Sequence, residues 1–436
     1  MQDAKGPDGP DGGPLRPRSW RSPLRGPWLT SALGAVLLVG LPVVFITGLL
    51  SNAAYNPWLN GNVALQGRSR SPLDFYLFTW PAHPAWLYAV NEGIHVSLGL
   101  ALIPAILVKQ WSVMPRLVAR PAVRSPAHAL ERLSLVFLVG GIFFEVVTGL
   151  LFEEYWVPYH FDFTAAHYYG AWVFFGALGL HTAVKLPKLH ESLRTRGSLA
   201  RVLRTDLKHT VPEPPEDPAL EPESLVPSAP ASPTMSRRAL LGATAAGSVL
   251  LGVQGVAQDI GGPVRSLAFL LPRGSELGTG PNDFPVNATY ASLGLPDHTI
   301  GPRWRLRVSS ADGHVLHFSR AELSSRFEQH TYWLPIACRE GWSTTQRWTG
   351  VRLRDLAAAV GARGTPALLV EALDGATATL ASNQVSAAES LLALYVNGVP
   401  ISPDHGYPAR VIVPGEIAVN CLKWVSAMGF ARVENA

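Results

Sequence analysis

Five apolar runs, each close to the ~20 residues a helix needs to cross a bilayer, occupy much of the first 257 residues: Leu29–Leu50, Pro84–Val108, Leu133–Phe152, Ala166–Leu186 and Ala239–Ala257. Backbone groups in hydrocarbon must find partners within their own segment, so runs of this kind fold as helices. Composition agrees: of 436 residues 47% are apolar and only 16% charged. The runs predict a membrane α-helical bundle, four helices plus a fifth anchor helix. Residues 261–436 have another character. Segments such as Trp304–Val308 and Ala367–Glu371 alternate like strands, and Leu353–Val360 reads as a short helix ended by Gly361. This part is read as a mixed α+β domain.

The expected order is a disordered basic tail (1–27), a four-helix membrane domain (28–190), a cytoplasmic Pro-rich linker (191–235), an anchor helix (236–260) and an extracytoplasmic domain (261–436). Orientation follows from basic residues, which stay on the cytoplasmic side. Lys109, Arg116, Arg120, Arg124 and Arg132 lie between the second and third runs, and Lys185 to Lys208 follow the fourth. The connection after the third run holds Glu153, Glu154 and Asp162 but no Lys or Arg. The net charge of +4 is spread over these flanks, so no nucleic-acid partner is expected; lipid is. Ser236-Arg237-Arg238-Ala239-Leu240-Leu241 resembles a twin-arginine export signal. It has no clear small-x-small cleavage site, so it is expected to remain as the anchor, placing everything after Gln258 outside.

Three histidines, His95, His167 and His181, fall inside apolar runs. Imidazole in a span is costly and usually functional, and haem iron takes neutral imidazole ligands. The chain lacks the Cys-x-x-Cys-His signature of covalently attached haem, and its two cysteines cannot build an iron–sulfur cluster or a disulfide framework. Fourteen residues separate His167 from His181, ~40° short of four turns and ~21 Å along the axis. Both therefore face one way. Counted back from Lys109 and Lys185, His95 and His167 are fourteen and eighteen residues deep, and His181 four. Depth pairs His95 with His167 around one haem b. Pairing of His95 with His181, a second haem, and hydrogen-bonded histidines without haem stay open. Glu92 and Glu145 are candidate proton acceptors from a quinol.

The pattern over about Leu29–Leu189 resembles the membrane cytochrome b subunits of respiratory formate dehydrogenases and hydrogenases. That resemblance implies an outer haem joining His95 to His167. The family's inner haem uses a histidine on the first helix; this chain has none there, which leaves His181 for a quinone pocket.

Cys338 sits in Pro335-Ile336-Ala337-Cys338-Arg339-Glu340-Gly341-Trp342-Ser343. A lone cysteine is by default a small buried hydrophobe, and a thiolate is equally a ligand for a soft metal. The segment resembles the molybdenum-ligand motif of the sulfite oxidase superfamily, in particular its bacterial methionine sulfoxide reductase branch. Further matches follow in order: Trp348-Thr349-Gly350 with Leu353-Arg354-Asp355-Leu356, Asn397-Gly398-Val399-Pro400, His405 to Gly415, Leu422-Lys423-Trp424, and more weakly Asn282-Asp283-Phe284. The resemblance spans nearly all of Gly262–Ala436. It implies a sulfite oxidase-type molybdopterin-binding domain in which Cys338 ligates molybdenum, Arg410 and Lys423 hold the cofactor phosphate, and Asn282, His405 and Leu422 contact the pterin. Arg339, beside the ligand, is a candidate for attracting a substrate oxygen. The superfamily's immunoglobulin-like dimerisation domain is not expected after Lys423. Cys421 receives no family role.

The expected whole is a membrane-bound oxidoreductase. Its Mo-molybdopterin acts on a small extracytoplasmic substrate, either reducing an S-oxide or N-oxide or oxidising a sulfite-like molecule. Haem b links that site to the quinone pool, and a soluble redox partner remains an option. The competing reading is a non-catalytic anchor or assembly protein with a degenerate cofactor fold.

Overall fold

The computed structural model describes residues 20–55, 80–117, 125–154, 156, 163–195, 202, 205–214, 224–227, 229–271, 280–362, 364 and 366–431. The tail before Trp20, Asp162, the basic residues Arg120, Arg124, Arg196, Arg201 and Arg204, and residues 215–223 of the Pro-rich linker lie outside the described residues.

Five long helices come first: α1 (Pro27–Tyr55), α2 (Leu87–Leu117), α3 (Pro126–Glu153), α4 (Phe163–Thr195) and α5 (Arg237–Ile260). Each expected apolar run falls within one, except that Pro84, Ala85 and Trp86 precede α2. Four of them, Pro27–Ala54, Leu87–Leu117, Arg132–Glu153 and Arg237–Ile260, are long and apolar enough to cross a bilayer. The expected fourth run, Ala166–Leu186, is helical but is not among these four. Its His, Tyr and Gly residues and the Lys that closes it lower its hydropathy. The chain divides into two compact units, one of 1–45, 98–152 and 156–252, the other of 46–97, 153–155 and 253–436.

In the first unit Leu41, Leu102, Ile106, Ile142 and Phe174 form a buried cluster, and Phe45 stacks on Phe175 with centroids 4.0 Å apart. A Cβ on Gly141 would meet the Phe174 Cβ at 3.0 Å, so that glycine sets how closely α3 and α4 pack. Residues of the expected tail and linker contribute to this packing. The end of the basic tail is ordered: Arg25 is 1% exposed, with its guanidinium over the rings of Trp20 and Trp111. The linker also takes part in packing, because Glu213 accepts the backbone N–H of Trp28 at 2.8 Å and of Leu29 at 3.3 Å. A carboxylate there satisfies orphan donors at the α1 N-terminus and complements its dipole. Such anchoring needs one acid rather than an apolar core, which is why the Pro-rich composition concealed it.

In the second unit, the described residues form two five-stranded sheets. The strands are β1 (Leu306–Ser310), β2 (Val315–Phe318), β3 (His330–Ala337), β4 (Ser343–Arg352), β5 (Ala367–Ala372), β6 (Thr377–Leu380), β7 (Leu391–Val396), β8 (Val399–Pro400), β9 (Arg410–Ile412) and β10 (Val425–Ala431). The first sheet runs β2-β1-β10-β5-β6, with β1 and β10 parallel; the second runs β3-β4-β7-β8, with β9 also on β7. Three short helices connect them: α6 (Arg320–Arg326), α7 (Leu353–Ala359) and α8 (Ser382–Ser386). Leu306, Val308, Val351, Leu368, Val370, Leu392 and Met428, all fully buried, form the shared core. Asn397 and Gly398, at φ 52° and 87°, make the two-residue turn from β7 to β8, as an Asn-Gly pair favours. The glycine of Trp348-Thr349-Gly350 has a packing cause, since a Cβ there would collide with the Leu392 carbonyl oxygen.

The same unit holds the C-terminal end of α1 and the start of α2. Ala54, Trp80, Tyr88 and Ala89 pack with Ala337 and Ile417, and Trp80 Nε1 donates to the Gly415 carbonyl at 2.8 Å. The residue before Cys338 is thus fixed from two sides.

Candidate active site

Strand β3 ends at Ala337, and Cys338 opens a turn closed by Cys338 N–H to the Trp342 carbonyl (2.9 Å) and Gly341 N–H to the Cys338 carbonyl (3.1 Å). Gly341 sits at φ 76° in close approach to Val96, a conformation that favours glycine. Cys338 is 5% exposed. Asn287 Nδ2 lies 3.1 Å from Cys338 Sγ and 3.0 Å from Glu340 Oε2, and Trp342 Nε1 donates to Asn287 Oδ1 at 3.2 Å. Burial and the neighbouring Glu340 hold the free thiol's pKa well above its ordinary value, whereas a thiol that coordinates a metal is deprotonated.

Two cations complete this region. Arg410, buried on β9, donates to the carbonyls of Cys421 and His405, both at 3.2 Å. Lys423 donates to the carbonyls of Ala288 and Asp404 (2.9 Å for the second) and lies 4.5 Å from the Trp424 ring centroid. Burial lowers Arg410 to about 10. Burial, then Arg410, lowers Lys423 to about 7. A thiolate at Cys338 favours the charged form of both. Among the described residues neither cation forms an ion pair with a carboxylate. Gly406 lets their stems come together: a Cβ there, at φ 114°, would meet Lys423 Cα and Cβ at 3.0 Å and Arg410 Cβ at 3.2 Å.

The remaining expected residues line up through Ser402. Asn282 Oδ1 accepts the Ser402 N–H at 2.9 Å, and its Nδ2 donates to the Pro400 carbonyl at 3.2 Å. His405 Nδ1 is 2.8 Å from Ser402 Oγ, and Nε2 is 2.9 Å from the Phe284 carbonyl. A carbonyl can only accept, so Nε2 carries the proton and Nδ1 accepts from the serine hydroxyl. Burial lowers His405 to about 4, keeping it neutral. The carbonyl of buried Leu422 accepts the Val411 N–H at 3.0 Å. Arg339 Nε lies 3.7 Å from Glu340 Oε1, on a side chain 30% exposed. Cys421 is buried; its carbonyl serves Arg410.

Sequence reasoning missed Asn287, three residues beyond the weakest of the motif matches. It also missed a repeat around the histidines. Ile46-Thr47-Gly48-Leu49-Leu50 on α1 and Val147-Thr148-Gly149-Leu150-Leu151 on α3 are near copies, and each faces one histidine. Thr47 Oγ1 is 3.4 Å from His95 Nδ1; Thr148 Oγ1 is 2.9 Å from His167 Nδ1, with Glu145 Oε2 at 3.1 Å. The glycines leave room beside the rings: a Cβ would come within 2.7 Å of His95 at Gly48 and 3.6 Å of His167 at Gly149. His95 belongs to the second unit and His167 and His181 to the first; His181 is half-buried on α4.

A soft sulfur donor beside a buried arginine and a half-buried lysine, both bonded to neutral carbonyls, suits a pterin-borne molybdenum group whose phosphate brings negative charge. Comparison with known proteins agrees. The family model "Oxidoreductase molybdopterin binding domain" matches residues 293–436. An uncharacterized oxidoreductase of Bacillus subtilis (strain 168), YuiH, is 31% identical over 142 residues, covering 32% of this chain and 70% of that protein. Sulfite oxidase of Gallus gallus is 31% identical over 173 residues, covering 32% of this chain and 38% of that protein. The sulfane dehydrogenase SoxCD from Paracoccus pantotrophus matches with a TM-score of 0.28 and 20% identity, over 34% of this chain and 40% of that one. The family model and the sequence relatives together define a molybdopterin-binding oxidoreductase. The chain belongs to the sulfite oxidase-type molybdopterin oxidoreductase family, and it spans about two fifths or less of the length of the animal sulfite oxidases it matches.

Proposed function

We propose that the chain is a membrane-bound, extracytoplasmic molybdenum oxidoreductase that exchanges electrons with the quinone pool through haem b. The observation that carries the reading is buried Cys338, its sulfur held by Asn287 in the same unit as Arg410 and Lys423, which form no carboxylate ion pair among the described residues. Four helices of spanning length and composition support the membrane placement, with α4 as a further span lined by its own histidines. The Thr-Gly-Leu-Leu repeat supports His95 and His167 as equivalent haem ligands, since a hydrogen bond to one ring nitrogen orients the other for iron.

When bound, molybdopterin-borne molybdenum supplies two-electron oxygen-atom chemistry; the protein's residues position it and its substrate. Cys338 is the sulfur ligand. Asn287 fixes the sulfur's direction and, being tied to Trp342 and Glu340, has little freedom to turn away. Arg410 and Lys423 hold the phosphate. Neutral His405 and Asn282 act one step back, clamping Phe284 and Ser402 so that the pocket wall keeps its shape. Arg339, partly exposed beside the ligand, attracts an anionic or sulfoxide oxygen. Reducing an S-oxide takes two electrons and two protons and releases water; a quinol supplies both, and oxidation of a sulfite-like substrate runs the electrons the other way.

The test is a substrate screen on purified protein with dye donors and acceptors, beside molybdenum and haem quantification. Cys338→Ser is expected to abolish turnover and leave the haem spectrum intact. Full activity in that variant would refute the molybdenum-ligand assignment of Cys338; neither molybdenum nor pterin in the wild type would favour a non-catalytic anchor instead.

A further inference from the structure

Helix α5 ends at Ile260, and the chain then turns back along it. Gly261 and Gly262 adopt positive φ (68° and 57°), a 3-10 turn covers Gly262–Leu267, and the Leu270 N–H donates to Gln254 Oε1 at 3.0 Å. Gln254 precedes the helix end by six residues, ~9 Å at 1.5 Å per residue, and helical side chains lean towards the N-terminus. Residues 262–271 therefore return beside the last two turns of α5.

The exposed surface of this return is apolar. Phe269 is 63% exposed, Leu267 53%, Leu270 50% and Val264 37%, while its one charged side chain, Arg265, is 3% exposed. On α5 the exposed residues Val249, Val253, Val256 and Ile260 form one stripe at helical spacing, and Gln254 and Ala257 on its flank are buried. Apolar return and apolar stripe thus lie on the same end of the helix. A charge-free surface of four large side chains is poorly suited to water. It is suited to the boundary between headgroups and acyl chains, where buried apolar area drives insertion.

We infer that residues 262–271 form a lipid-dipping lip. Its Val264, Leu267, Phe269 and Leu270 side chains enter the bilayer leaflet in which α5 ends, pinning the start of the sheet domain at a fixed height above the membrane. The bilayer is the occupant because the lip is continuous with a helix of spanning length and reaches back below that helix's end. This rests on the reading of α5 as a membrane span.

The test uses the full chain in phospholipid nanodiscs, with nitroxide labels on Leu267→Cys, Phe269→Cys, Val249→Cys and Ala311→Cys. Val249 stands for the span and Ala311 for the exposed β1–β2 turn; label on the buried native cysteines is measured in the unsubstituted protein and subtracted. Relaxation by oxygen, which concentrates in lipid, is compared with relaxation by a water-soluble nickel chelate. The lip labels should be oxygen-accessible and nickel-protected like position 249, with position 311 the reverse. Nickel-accessible lip labels beside a protected position 249 overturn the lip and leave the span standing. Lip labels shielded from both reagents place protein there and overturn the lipid assignment. A nickel-accessible position 249 overturns the span reading itself.

Discussion

Asn287 and Cys338 are joined by an N–H···S contact of 3.1 Å, made by an amide that is itself held by Trp342 Nε1 and tied to Glu340. Donation to a ligand sulfur withdraws electron density and fixes the direction of its lone pairs. Groups one step beyond a metal's ligands typically contribute 10–100-fold in affinity or activity. Asn287→Leu should therefore lower turnover by roughly 10–100-fold while keeping the fold. Its sulfur-to-molybdenum charge-transfer band should move to lower energy, because the sulfur becomes more electron-rich. Optical spectra of wild type and variant at equal molybdenum content check this; an unmoved band with lowered activity would make Asn287 merely structural.

Lys423 gives a prediction in pH. Its folded-state pKa of about 7 lies below the ordinary 10.5. Between these values the unfolded chain binds more protons than the folded one, so this group makes stability rise as pH rises through that window. In cofactor-free protein, the wild-type melting curve minus that of Lys423→Met should climb from about pH 7 towards pH 10. Sulfate, a permanent dianion standing for the cofactor phosphate, should raise the wild-type Tm more at pH 6 than at pH 9. Lys423→Met should lose that difference. A sulfate effect equal at both pH values would remove Lys423 from the phosphate site.

Gly406 is where the two cation-bearing segments touch. An added methyl would press on Lys423 and Arg410 at 3.0–3.2 Å, at a φ of 114°. Backbone strain of this kind costs about 1–3 kcal/mol. Gly406→Ala should lower Tm and cut molybdopterin content per protein, measured by fluorescence of the released, oxidised pterin. Normal loading would show that the cations can separate without consequence.

For the membrane part, His95→Ala should remove the b-type signal from reduced-minus-oxidised spectra and abolish quinol-linked activity, yet spare activity with a soluble dye. Thr148→Val should keep the haem but shift its midpoint potential, because the hydroxyl at 2.9 Å from His167 Nδ1 is lost. Unchanged haem in His95→Ala would refute His95 as a haem ligand.

Much of this was legible before the structure. The β5 alternation, the α7 helix stopped at Gly361 and the Asn397-Gly398 turn follow from local periodicity and turn chemistry. Cys338, Arg410 and Lys423 could be named because they sit in motifs of fixed order. What local patterns could not carry was long-range pairing. Asn287 reaches Cys338 across 51 residues, and Glu213 caps a helix 185 residues away. The carbonyls that occupy Asn282 and His405 are over 100 residues distant in sequence. The Thr-Gly-Leu-Leu repeat was readable, but it gains meaning only when each copy is seen against a histidine on the next helix.

The central claim is that Cys338 sulfur binds molybdenum, and molybdenum K-edge X-ray absorption tests it most directly. Wild-type protein should show a sulfur shell beyond the pterin dithiolene, and Cys338→Ser should lose one sulfur from that shell in favour of oxygen. A sulfur shell identical in the two proteins, both loaded with metal, would contradict the account.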